Sequence, residues 1–140
     1  MENNLMELPP QKLLAACNQL TASFTLSLTP KDLEALSAGR RRALADTGRV
    51  ELGGTVLPAL VETFRDSPYL QQEYYPESLL TLQEAFYHYK NEAGDQTPDR
   101  TVLAVMRRGY DWLGGSVEAL EGFSMKELLE RMRENGNGGK

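Results

Sequence analysis

The residue types that most often carry chemistry are scarce in this chain: its 140 residues hold one cysteine, one histidine and one tryptophan. A lone Cys17 excludes an internal disulfide and a thiolate metal cluster, and a reducing compartment suits it. No run of about 18 apolar residues occurs, which excludes a membrane-spanning helix. The opening "MENNLMELPPQK" has neither the basic n-region nor the apolar stretch of a signal peptide, so a cytoplasmic protein is expected. Excess positive charge is missing too. The net charge of −5 and a pI near 4.9 argue against a nucleic-acid partner. Neither GxGxxG nor GxxxxGK[ST] occurs, so no phosphate loop and no cofactor is expected.

What is present reads as a folded helical domain. Hydrophobic residues make up 41% and charged residues 25%, both ordinary for a globular chain with a core of its own. The prolines act as helix punctuation, because a first-turn position tolerates the missing N–H. Thr29-Pro30, Ser67-Pro68 and Thr97-Pro98 each place a hydroxyl before a proline, the N-cap and N1 pattern. The spacing predicts helices over about Pro10–Leu20, Pro30–Asp46, Thr55–Arg65 and Pro76–Ala93, followed by one after Thr97. Gly48 and Gly94 act as stops. Ser116 caps a short helix to Glu121, and Ser124 with Glu127 forms a capping box for the last.

The expected fold is therefore an all-α, single-domain bundle of about six helices over 1–134, with a disordered tail over 135–140. "TASFTLSL" reads as a buried connector and "RVELGG" as a very short strand or ordered turn. A variant in which 22–28 and 49–53 pair as two strands stays open.

Several features compete as sites. Arg40, Arg41 and Arg42 span an arc of about 200° on their helix, so one must lie at the edge of the apolar stripe and use its stem as cover. Arg42 is placed to pair with Asp46. From Pro30 to Val50, five basic residues face three acidic ones, a small excess that suits a solvated helix end or an acidic protein partner. His88 stands four residues from both Glu84 and Glu92. The helical arc puts it on the wet side opposite Leu79, Leu82 and Phe86, where a metal site or general base is not expected. Cys17 shares the apolar side of its helix with Leu13 and Leu20, and reads as an inert buried thiol. Two glycines before the Ser116 helix read as a connecting turn, since Glu118 and Glu121 disfavour an anion there.

The least ordinary feature is a tyrosine cluster. Tyr69, Tyr74, Tyr75, Tyr87 and Tyr89 crowd around "DSPYLQQEYYPES", the link between two helices. Tyrosines suit both a half-buried core edge and a protein interface. Tyr87 lies off the stripe and reads as an exposed anchor.

The order "LSLTPKDLEAL", "GRVELGGTVLPALVETFRDSPYLQQEYYPES" and "LLTLQEAFYHYKNE" resembles an uncharacterised family of small bacterial proteins from Gram-positive anaerobes, over roughly Leu26 to Leu129. In that family a "GRVEFG"-like turn, a "DSPY"-like turn and an "LQE-F-Y-KNE"-like helix follow one another. The resemblance implies a bacterial cytoplasmic protein and carries over no catalytic residue, cofactor or partner.

The expectation is a non-enzymatic helical module that binds another protein or itself, as a subunit, adaptor or regulator. Its interface candidates are Tyr69, Tyr74, Tyr75 and Tyr87, with Arg40, Arg41 and Arg42 as a charged patch. No catalytic or metal-binding residue, no nucleic acid and no membrane is expected. The alternative is a small-molecule binder or unrecognised enzyme with a pocket between helices, for which Glu73, Glu84, Arg100 or Tyr110 would have to point inward.

Overall fold

The computed structural model describes residues 8–51 and 54–138, with side chains described as far as 134. Seven α-helices are present among these residues: α1 (Pro10–Leu20), α2 (Pro30–Thr47), α3 (Leu57–Phe64), α4 (Tyr75–Ala93), α5 (Asp99–Trp112), α6 (Val117–Glu121) and α7 (Met125–Gly138). The fold is an all-α domain, and no helix of the described residues is long and apolar enough to cross a membrane. Side chains of the tail expected over 135–140 lie outside the described residues.

Local chemistry explains most boundaries. Thr29 caps α2 with its side chain accepting from the Asp32 N–H, and Asp32 returns the bond to the Thr29 N–H, with Pro30 in the first turn. At the other end Gly48 adopts φ +67°, the Gly48 N–H bonds the Ala45 carbonyl, and the Arg49 N–H reaches back to Leu44. That pair of bonds is a Schellman closure, which only a left-handed residue permits cheaply. Ser116 caps α6, and Ser124 with Glu127 forms the reciprocal box before α7.

Two of the proline signals work differently. Ser67-Pro68 opens no helix, because its hydroxyl is drawn across the fold to Asp111 Oδ1 at 2.9 Å. Thr97 does not cap α5; Pro98 holds the cap position and the Thr97 hydroxyl donates back to Ala93.

The two-stranded variant is overturned: no strand occurs among the described residues. Ala22–Phe24 forms a 3-10 turn, and Thr25 follows at φ +59°. The chain from Leu26 to Leu28 is paired by amide side chains instead of by a strand. Asn18 brackets Leu28, accepting its N–H at 2.8 Å and donating to its carbonyl at 3.0 Å. Gln72 does the same to Ser27, at 2.7 and 3.2 Å. A primary amide offers the donor and acceptor that a neighbouring peptide would, so the polar backbone is satisfied without a sheet.

Helix α4 is the central element and packs on α2, α3, α5, α6 and α7. It buries Tyr75, Leu79, Leu82, Gln83, Ala85, Phe86, Tyr87 and Tyr89. Arg107 ties α5 to the end of α3, donating to the Thr63 carbonyl at 2.8 Å, to Asp66 at 2.6 Å and to Asp111 at 2.7 Å. That guanidinium holds the Asp66 carboxyl below the usual carboxylate range.

Candidate functional site

The sequence-derived interface residues do not form one surface. Tyr87, read from the sequence as an exposed anchor, is only 2% exposed. Its helical angle does lie off the stripe, but the segment before α3 covers that flank, and the Tyr87 hydroxyl donates to Glu51 Oε1 at 2.6 Å. Tyr75 is buried too, near Cys17 and Thr21, and its hydroxyl makes no hydrogen bond of good geometry. Both residues are corrected from interface to core. Tyr69 is half-exposed, its ring edge-on to Tyr110 at 6.3 Å. It clamps the turn after α5, where Gly115 has φ +83° and a Cβ would stand 2.4 Å from Tyr69 Cβ. Tyr74, 54% exposed, is the one cluster member with most of its surface free.

The arginines part ways as the arc requires. Arg40 is the half-buried edge residue, its Nε donating to Glu51 Oε1 at 2.5 Å. Arg41 and Arg42 are exposed, and among the described residues no ion pair joins Arg42 to Asp46. Cys17 is fully buried, and burial pushes its thiol up to about 11, far from nucleophilic at neutral pH. Of the residues proposed to face a pocket, Glu73 and Arg100 are exposed, Tyr110 is buried against Phe64, and only Glu84 borders a cleft.

Two of the clefts among the described residues lie on opposite flanks of α4. At about 100° per residue, Phe86, Tyr87 and Lys90 point to one side of the helix, and Glu84, His88 and Glu92 to the other. The first cleft, about 270 Å³, lies between α4, the segment before α3 and the start of α5. Its charges are all matched. Glu51 takes both Arg40 and Tyr87, Arg49 pairs with Asp95, and Lys90 bonds the Thr97 carbonyl and sits 3.1 Å from Asp99. Desolvation, followed by the Glu51 carboxylate that it faces, pushes the Tyr87 hydroxyl upward. Such a cluster is a clasp that fixes the covering segment to α4.

The second cleft is larger, about 500 Å³, and lies between α4 and the turn joining α6 to α7. Tyr89 builds it: its hydroxyl reaches the carbonyls of Leu120 at 2.6 Å and Phe123 at 2.9 Å, fixing the turn against α4. Glu92 Oε2 accepts the Met125 N–H at 2.9 Å and holds the start of α7. Ala85 and Phe123 give the cleft apolar walls. Beyond Phe123 stands Trp112, 38% exposed, with ring centroids 6.0 Å apart, and the Arg131 guanidinium lies 5.5 Å from the Phe123 ring.

Three titratable groups here lack hydrogen-bond and ion-pair partners. Among the described residues Glu84, His88 and Glu121 make no hydrogen bond and no ion pair. Burial first, then the charge of Glu84, pushes the Glu121 carboxyl up; His88 opposes this and Glu118 adds to it. The groups do not converge as metal ligands do, since no three His, Cys, Asp or Glu of the described residues are placed to hold an ion. Cys17 stands apart from this cleft, buried in the core.

Sequence reasoning placed Glu84, His88 and Glu92 correctly on the wet side of α4, yet missed the cleft. Glu121 and Phe123 close it from about 30 residues away, and the Tyr89 hydroxyl that brings them in reads in sequence as one more core tyrosine.

Comparison with curated proteins and with solved structures gives no match. The chain belongs to a family of unknown function, DUF6323, whose model matches residues 13–138.

Proposed function

We propose that this protein is a non-enzymatic helical interaction module, a subunit, adaptor or regulator working in the cytoplasm. Its docking site on this reading is the cleft between α4 and the α6–α7 turn. One observation carries the reading: Glu84, His88 and Glu121 stand without a hydrogen bond or ion pair around a concavity, beside the partly buried Phe123 and the exposed Trp112, while every charge in the opposite cleft is matched. Aromatic residues beside a desolvated depression are typical of binding hot spots. Tyr74 and the exposed pair Arg41 and Arg42 remain the secondary surface.

The test is light scattering on the full chain purified from its native host at gentle salt. The wild type is expected to carry a second chain or a second copy. Glu121→Arg, which reverses an exposed cleft charge, is expected to release it, while Tyr74→Ala retains it. A bare 15.6 kDa wild-type chain would overturn the reading. The second reading is a small-molecule binder, and the cleft volume of about 500 Å³ favours it, being ordinary for a ligand site. A stoichiometric small molecule released on denaturation would establish it.

A further inference from the structure

We infer that the occupant of the α4 cleft is a basic peptide segment of a partner protein, entering with a lysine or arginine between Glu84 and Glu121. This rests on the docking reading above and names the chemistry of the partner. The argument begins with repulsion. Glu84 and Glu121 approach from different helices, and the Glu121 carboxyl is disfavoured as a charge by burial and by Glu84. Glu118 repels it further, and Glu92 lines the same cleft. His88 is the one group of the cleft lining that opposes this, and a fold that gathers carboxylates around a single imidazole loses free energy unless something from outside supplies a further positive charge.

The walls select among positive ligands. Ala85, the Tyr89 ring and Phe123 form an apolar throat that suits a methylene stem, and the carboxylates at its sides suit the cationic head. A divalent ion is disfavoured, since no three ligands are placed to hold one. An anion meets like charge. A lone amine would fill the throat but leave the exposed ring of Trp112, which stands beyond Phe123, uncovered. A peptide with an apolar residue next to its cation covers it, and its complementary charge steers the encounter. That extension of aromatic surface beyond the throat commits the site to a peptide.

Trp112 is the chain's single tryptophan and stands at the rim, so its emission reports occupancy directly. The probes are blocked hexapeptides alternating lysine with leucine, glutamine with leucine, and glutamate with leucine, together with putrescine. Each fluorescein-labelled peptide is also followed by anisotropy. The lysine–leucine peptide is expected to bind saturably and more weakly as salt is raised. The exposed double variant Glu84→Gln/Glu121→Gln is expected to weaken it about tenfold, and Glu62→Gln on α3 to leave it unchanged. If the glutamine–leucine peptide binds as tightly, the cation is overturned while docking stands. Equal binding of putrescine would overturn the peptide in favour of an amine pocket. If no peptide binds, the inference and the docking reading fall together.

Discussion

On the flank of α4 that carries Tyr87 and Lys90, Glu51 is shared between a guanidinium and a phenol, and the lysine is held by a carbonyl and a carboxylate. On the flank that carries Glu84 and His88, Glu92 holds the Met125 N–H, while Glu84, His88 and Glu121 face a larger space with no hydrogen bond or ion pair among the described residues. One helix thus presents a finished polar cluster on one side and an open one on the other. Polar groups without partners are disfavoured as burial deepens, so their grouping around a concavity points outward, to something that arrives. Matched groups at a helix flank instead point inward, to the fold that they hold.

Substitutions on the two flanks should therefore separate stability from binding. Glu51→Ala is expected to cost most, about 2–3 kcal/mol by urea unfolding, because it removes the acceptor of a buried phenol and the ion-pair partner of a half-buried guanidinium at once. Peptide binding at the opposite cleft should survive it under folding conditions. A loss below about 0.5 kcal/mol would mean that the matched flank is not a clasp.

Tyr89→Phe comes next. It removes the hydrogen bonds to Leu120 and Phe123 and is expected to cost about 1–2 kcal/mol. It should also loosen the α6–α7 turn, read as a shift in Trp112 emission and weaker peptide binding. Unchanged emission would show that the turn is held by apolar packing alone.

Glu121→Gln should have a smaller effect, and of the opposite sign: a gain of no more than about 0.5 kcal/mol at neutral pH, since the carboxylate is exposed and its repulsion screened. The sign follows from the raised carboxyl. The native state holds its proton more tightly than the unfolded chain, so stability falls as pH rises through the window just above the ordinary carboxylate value. Below that window both states are protonated and the advantage of the variant should vanish. An advantage that persists in acid would assign the gain to something other than charge. At the bottom of the scale, Arg42→Ala should change stability by less than about 0.5 kcal/mol, in line with its exposure.

How far the sequence reached follows the range of each interaction. Helix starts set by residues three apart, such as Thr29 with Asp32 and Ser124 with Glu127, were legible because the partners are local. Ser67 misled because its hydroxyl answers to Asp111 on α5. Periodicity placed Tyr87 off the apolar stripe correctly but carries no information about a covering segment, and Glu51 reversed its meaning. Leu26–Leu28 reads in sequence as a buried connector with strand pairing left open, and amides from α1 and from the turn before α4 take the place of a strand partner. The open cleft was half legible. Glu84, His88 and Glu92 share a face by spacing alone, whereas its other wall arrives through Tyr89.

Amide chemical-shift mapping of the full chain, titrated with the lysine–leucine peptide, confronts the two flanks most directly. Saturable shifts confined to Glu84–Glu92 on the open side and to 121–124, with Glu51 and the residues around Lys90 and Asp99 still, are the expected result. Shifts centred on the Glu51 and Lys90 cluster, or none at either flank, would contradict the assignment of one side to structure and the other to binding.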